Sequence, residues 1–229
     1  MASSSSSFMS NPAFERFGSG HTLSKNAFVA MLCFWTAAGI AVSAACAYAT
    51  LEWRPGLLPL ILLMLIPFAG ILIAAKSTNP IVSLLGYGLV VVPFGLSMGP
   101  MVAMYTAASV VKVLCITTGM VVGLGTIGAI YPKSLESWGI FLIGGLLVLI
   151  LAQFVTIILG MFGVNVSAAM TVLDWVGVGI FSLLVIYDLN RAMRVERTHD
   201  NAIDCAVGIY LDFINIFIRL LSLMGKRKD

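Results

Sequence analysis

Two aspartates lie in strongly apolar stretches near the C-terminal end of the chain. Asp188 falls in the string SLLVIYDLN and Asp212 in IYLDFINIFIRLL, and a charged connector separates the two strings. An ionised side chain at the centre of a membrane helix costs roughly 2.5–3.5 kcal/mol on insertion scales, so an acid at such a position is a functional candidate by default. Carboxylates exchange protons and bind hard cations such as Ca²⁺. The two aspartates are therefore the first candidates for a site, either a pH sensor or a proton-linked cation site.

The spacing of the two aspartates predicts that they meet. In an antiparallel helical hairpin with its apex at Asp200, each aspartate is 12 residues from the apex, so both lie at the same depth. Helices packed about 8–10 Å apart can bring facing carboxyl groups together. Two carboxylates in contact at low dielectric cannot both ionise cheaply, so we expect them to share a proton and to titrate as a pair. The structural alternative is that each aspartate pairs with a base, such as Arg191 or Arg219, to fix the helix register.

The composition indicates which elements carry these residues. The chain has 229 residues, of which 60% are hydrophobic and 10% charged, with a mean hydropathy of +1.04. Soluble domains carry about 25% charged residues, so this is an all-α integral membrane protein. The net charge is only +3 and no basic patch is present, which argues against nucleic-acid binding. Since a bilayer-spanning helix needs about 20 apolar residues, seven spans are predicted, at about 26–50, 56–75, 80–104, 107–130, 138–162, 172–195 and 202–224.

The chain divides into a polar, serine-rich tail over residues 1–25 and a transmembrane domain over residues 26–229. Most basic residues of the connectors fall on one side of the membrane if every segment spans, so the tail is expected in the cytoplasm. Seven spans, however, place the basic residues 226–228 on the opposite side. Segment seven therefore either re-enters the membrane or is held across it by its neighbours.

Segment seven differs from the others because it carries a polar stripe. At 3.6 residues per turn, Gly208, Asp212, Asn215 and Arg219 fall near one face. Gly208, Asn215 and Arg219, together with Asp174 of segment six, are the candidates to line a pore. Lipid cannot satisfy polar groups, so this segment should lie inside the bundle, surrounded by the other six. Asp174 precedes Asp188 by 14 residues and shares its helix face, so it could mark a cation path; the plainer interpretation is a solvated carboxylate near a helix start.

The same strings resemble a known family, the Bax inhibitor-1-like (transmembrane Bax inhibitor motif) proteins. SLLVIYDLN and IYLDFINIFIRLL carry the resemblance, supported by GTIGA at 125–129 and NVSAAM at 165–170. The resemblance implies two three-helix layers around a central C-terminal helix. It also implies a pH-sensitive calcium leak in which the aspartate pair falls on Asp188 and Asp212. A bacterial member would lie in the inner membrane, whereas eukaryotic members lie largely in the endoplasmic reticulum.

The chain departs from some bacterial relatives in helix two. Those relatives carry a buried glutamate there and an arginine near its cytoplasmic end, whereas residues 56–75 contain no acid. Lys76 is the basic residue at that end, and it becomes the candidate latch for the aspartates. We expect a monomer in the lipid bilayer with no permanently bound cofactor, with Ca²⁺ as the transported ion and H⁺ as its regulator.

Two other functions compete with a channel. A non-conducting regulator would bind a membrane protease, a stress-response partner or another membrane protein. An intramembrane aspartyl protease would also place YD on one helix and an aspartate on the next. Tyr187-Asp188 fits half of that pattern, but Gly208-Ile209-Tyr210-Leu211 before Asp212 does not provide the glycine-x-glycine of such enzymes. The sequence therefore predicts that the protein is not an enzyme.

Overall fold

The computed structural model describes residues 22–228, without the side chain of Leu57. These residues form no β-strand, only an isolated bridge, so the all-α prediction is confirmed. The predicted tail lies largely outside the described residues, since residues 1–21 are not among them. A short 3₁₀ turn at Glu136–Trp138 precedes the fifth of seven long helices, which are α1 (Lys25–Ala49), α2 (Leu57–Lys76), α3 (Pro80–Val102), α4 (Ala107–Ile130), α5 (Gly139–Met161), α6 (Ser167–Ala192) and α7 (His199–Met224).

All seven predicted spans are present, and each helix is long and apolar enough to cross a membrane. The largest differences from the predicted bounds occur at both ends of α6, which stops at Ala192 instead of residue 195, and at the start of α7. Helix α6 begins at Ser167 instead of residue 172, and α7 begins at His199 instead of residue 202. The side chain of Thr198 caps α7 by accepting a hydrogen bond from the Asn201 N–H at 3.1 Å, which satisfies a free donor of the first turn.

Helix α7 lies inside the bundle, as its polar stripe predicts. It packs against α1, α2, α3, α4 and α6. In its most apolar stretch of 18 residues 61% of the residues are buried, against 44% or fewer in each of the other helices. Helix α3 packs on α1 and α2, while α6 packs on α4 and α5. The division of the outer six helices into two layers remains a prediction.

Helix α7 is a continuous helix of 26 residues and does not turn back. Its C-terminal extension reaches the connector between α3 and α4, where the Lys228 N–H donates to the Met104 carbonyl at 2.9 Å. That connector and the one between α6 and α7 lie at opposite ends of the bundle, so the re-entrant interpretation is wrong. Backbone hydrogen bonds to the connector between α3 and α4 hold the basic C-terminus at the end of the bundle opposite the connector between α6 and α7. Which end faces the cytoplasm remains a prediction.

Two residues after Asp188, a buried asparagine fixes the end of α6. The Asn190 amide donates to the carbonyls of Gly128, Tyr131 and Lys133 at 3.1–3.2 Å. Its oxygen accepts a hydrogen bond from the Leu135 N–H at 3.0 Å. One side chain thus satisfies four backbone groups of the turn between α4 and α5 and sets the position of α6 next to Asp188.

Candidate functional site

Asp188 faces a glycine of the central helix. Its Oδ2 lies where a side chain on Gly208 would be, since a Cβ there would come within 2.5 Å of that oxygen. Gly208 precedes Asp212 by four residues, about one helical turn. The two aspartates are thus on neighbouring turns of the interface between α6 and α7, with Asp212 farther from the connector, and they do not lie at equal depth.

The difference in depth between the two aspartates reflects the register of the whole interface between α6 and α7. Three pairs that face each other across α6 and α7 are equidistant from Thr198, so the apex is Thr198 and the predicted apex at Asp200 is wrong. Asp200 is instead buried in the first turn of α7, where it accepts a hydrogen bond from the Ser83 hydroxyl at 2.5 Å. The contacting pairs are Asp188 with Gly208, Gly177 with Arg219, and Asp174 with Ser222.

A cavity of about 260 Å³ opens between α2, α6 and α7 at the end of the bundle where α6 meets α7. Asp188 and Gly208 lie in its wall, so both predicted residues reach it. Arg191 also lines the cavity and is close enough to Asp188 to interact with it electrostatically. The remaining polar wall residues, none of which was predicted as a site residue, are Asn201, Asp204 and Cys205.

Asp212 lies behind this wall and is only 4% exposed. Its Oδ2 is buried and has no hydrogen-bond partner among the described residues. It interacts electrostatically with Asp188, but no hydrogen bond joins the two carboxyl groups in the part of the chain that the structure describes. A buried carboxyl oxygen without a partner is costly unless a proton or a cation occupies it.

Farther along the same interface lies an ion pair. The Arg219 guanidinium approaches Asp174 Oδ1 at 3.4 Å, with side-chain exposures of only 6% and 16%. It also donates to the Leu173 carbonyl and to Gln153 Oε1, at 3.3 and 3.2 Å. Ser222 donates to the second oxygen of Asp174 at 2.7 Å. The alternative that each aspartate pairs with a base to fix the helix register therefore holds only in part. Arg219 does pair with an acid, but that acid is Asp174 and not Asp212. The plainer interpretation of Asp174, a solvated carboxylate near a helix start, is wrong.

Two predicted site residues, Lys76 and Asn215, belong neither to the cavity wall nor to the Arg219–Asp174 ion pair. Lys76 is exposed and makes no hydrogen bond or ion pair within the described part of the chain, so the structure does not bring it to the aspartates. Asn215 is half-buried and donates to the Leu211 carbonyl of its own helix at 2.8 Å. No group of three or more metal-ligating side chains is found among the described residues. Arg191, not Lys76, is the base beside Asp188.

These features define a class of protein: a multi-pass, seven-helix membrane protein whose buried central helix carries carboxyl groups. The model of the family described as "Inhibitor of apoptosis-promoting Bax1" matches residues 25–229, and the chain belongs to this family. The resemblance drawn from the sequence strings is therefore confirmed.

Bacterial proteins are similar to the chain over much or most of their length. An uncharacterized protein of Borreliella burgdorferi is 27% identical over 225 residues, which are 90% of this chain and 95% of that protein. An uncharacterized membrane protein of Vibrio cholerae is 27% identical over 95% of this chain and 97% of its own. The inner membrane protein YbhL of Escherichia coli is 29% identical over 58% of this chain and 59% of its own.

Proposed function

We propose that the protein is a pH-sensitive leak channel for calcium or related cations, with its pathway along the polar face of α7. The observation that carries the proposal is the buried Asp212 Oδ2, which has no hydrogen-bond partner among the described residues. It lies one turn beyond Gly208, which lines the cavity together with Asp188. Oxygen ligands suit hard cations, and two neighbouring carboxyl groups suit proton exchange. Proton and cation thus compete for the same oxygens.

In this proposal the structure represents a closed state. The cavity gives access from one end as far as Asp188, and the buried Arg219–Asp174 ion pair occupies the same interface farther along. A fixed positive charge on the pathway opposes cations. Arg219 therefore acts as the closing group at that end, and opening requires the guanidinium to move away from Asp174.

The proposed setting is a bacterial inner membrane, with the N-terminus in the cytoplasm and the protein acting as a monomer. The name of the Escherichia coli relative, inner membrane protein YbhL, supports this setting. Calcium is substrate and not a resident cofactor, bound transiently at Asp188 and Asp212. Protonation of this pair regulates the flux.

The test is calcium flux into proteoliposomes holding the purified full-length chain, measured at several pH values. We expect Asp188→Asn and Asp212→Asn to change the flux and its pH profile, because each removes an oxygen that carries charge. Glu136→Gln is the matched control, since Glu136 is an exposed acid on the connector between α4 and α5 and lines neither cavity.

Three results would argue against the proposal. If both aspartate variants keep the wild-type flux and pH profile, the carboxyl pair is not the sensor. If the wild-type protein conducts no cation at any pH but captures a membrane protease, the non-conducting regulator is favoured. If it cleaves a transmembrane peptide and the cleavage needs both aspartates, the protein is an enzyme.

A further inference from the structure

A second cavity lies at the other end of the bundle and is apolar. It measures about 320 Å³ and lies between α1, α3, α4 and α7. Helices α1 and α4 each pack on α7, while few contacts join them to each other, so the cavity is a groove between them with α7 as its floor. The exposed side chains of Tyr48 and Val111 mark its two rims. The groove therefore opens toward the lipid-facing surface.

The floor of the groove reaches the central helix. Phe213, Ile214 and Phe217 of α7 contribute to its lining, and Phe213 directly follows Asp212. The deepest polar contact is a hydrogen bond of 2.6 Å between the hydroxyls of Ser43 and Tyr210, which leaves Ser43 satisfied. The interior of the groove thus offers mostly apolar surface, and the one charged side chain in its lining, among the described residues, lies at the end.

That charged side chain is Lys228, and the fold holds its backbone in place. The C-terminal extension pairs with the connector between α3 and α4: the Thr106 N–H donates to the Lys226 carbonyl and the Lys228 N–H to the Met104 carbonyl, each at 2.9 Å. The Lys226 N–H also donates to Ser109 Oγ at 2.8 Å. Backbone hydrogen bonds on both sides of residue 227 thus fix the main chain that carries the Lys228 side chain at the end of an apolar groove.

We propose that this groove binds one acyl chain of an anionic phospholipid, with Lys228 contacting the headgroup phosphate. The groove lies on the lipid-facing surface, where the acyl chains of the bilayer can enter it. The charge of Lys228 selects an anionic over a zwitterionic headgroup. Arg227, whose guanidinium lies 5.9 Å from the centre of the Tyr105 ring, adds a second positive charge beside it. The binding is independent of calcium conduction, since it uses none of the carboxyl groups proposed for that function.

The experiment measures the thermal unfolding midpoint of the full-length protein in detergent micelles. Phosphatidylglycerol or phosphatidylcholine with identical acyl chains is titrated in. We expect phosphatidylglycerol to raise the midpoint at lower concentration, and Lys228→Ala to weaken its apparent affinity about fivefold, the factor for one lysine near an anionic headgroup. Lys112→Ala is the matched control, because Lys112 is an exposed base near the start of α4 that does not line the groove.

A groove-filling variant tests the contribution of the acyl chain separately from that of the headgroup. Ala44 lines the groove and is exposed, so Ala44→Trp should fold while blocking an acyl chain, and the response to phosphatidylglycerol should be lost. Soluble glycerol phosphate should not move the midpoint of the wild type. Equal responses to the two lipids, equal losses in the Lys228 and Lys112 variants, an unchanged response in Ala44→Trp, or a full response to glycerol phosphate would each overturn the proposal.

Discussion

Neutralising Asp174 should destabilise the closed protein by leaving Arg219 buried without its counter-charge. The Arg219 side chain is 6% exposed and Asp174 16%, so solvent screens the pair weakly. Removing one partner of a buried pair costs about 3–5 kcal/mol. An asparagine keeps an oxygen that Ser222 can donate to, so for Asp174→Asn we expect about 3 kcal/mol, the lower end of that range. In a chain of this size about 3 kcal/mol lowers the midpoint by roughly 6–12 °C.

The assays are thermal unfolding in detergent and calcium flux in proteoliposomes, on the same preparations. In the closed state proposed above, Arg219 is held in place by Asp174, so the variant that loses the carboxylate should also leak more at neutral pH. Ser222→Ala is the matched control: it removes a neutral donor to the same carboxylate at 2.7 Å and should cost only about 1 kcal/mol.

The double variant Asp174→Asn with Arg219→Gln distinguishes the loss of stability caused by an uncompensated buried charge from that caused by a lost contact. Since both charges are then absent, its loss of stability should be smaller than that of Asp174→Asn alone. A double variant that is less stable by the full sum of the two single losses would refute the reasoning about an uncompensated charge. An Asp174→Asn protein with wild-type stability and leak would show that the ion pair closes nothing.

Two further substitutions test the positions beside the first aspartate. Gly208→Ala should displace the Asp188 carboxylate, because Asp188 Oδ2 lies 2.5 Å from the position of the new Cβ. The substitution should therefore shift the pH profile of flux at little cost in stability. Gly119→Ala is the control and should leave that profile unchanged, because nothing lies within 4 Å of its Cβ. Asn190→Ala should lower the free energy of unfolding by about 2–3 kcal/mol, because buried backbone groups of the turn between α4 and α5 lose their partner, and an unchanged unfolding midpoint would contradict this role.

The number of helices and the central place of α7 could be predicted from the sequence because both depend on local composition. About 20 apolar residues are needed to span a bilayer, whatever the packing. A stripe containing Asp212 and Arg219 must face protein, whatever the neighbour. The register between α6 and α7 could not be predicted in this way, since it depends on where α7 begins. The cap at Thr198 extends α7 by a turn and moves the apex away from Asp200.

The partners of the charged residues could be predicted from the sequence only in part. The absence of an acid in helix two points to Lys76 as the base near the aspartates, yet Lys76 is exposed, while Arg191 on the same helix as Asp188 lines the cavity. Arg191 follows Asp188 by three residues, a spacing that places side chains on one helix face. That spacing is the sequence signal that points to Arg191 as the base beside Asp188. Asp174 and Arg219 lie 45 positions apart, and no local pattern predicts their pairing.

The interface between α6 and α7 follows one rule at both ends: a charged side chain lies where the opposite helix has a glycine. Asp188 of α6 lies against Gly208 of α7, and Arg219 of α7 lies against Gly177 of α6. Because each glycine makes room for a charge on the other helix, the two helices can shift against each other only if both contacts change together. In the proposed channel, a proton or cation at Asp188 acts on the same interface as the Arg219 ion pair, and any coupling between the two is reciprocal. The shared interface would then link the proposed site at Asp188 to the proposed closing group at Arg219 without requiring the helices to separate.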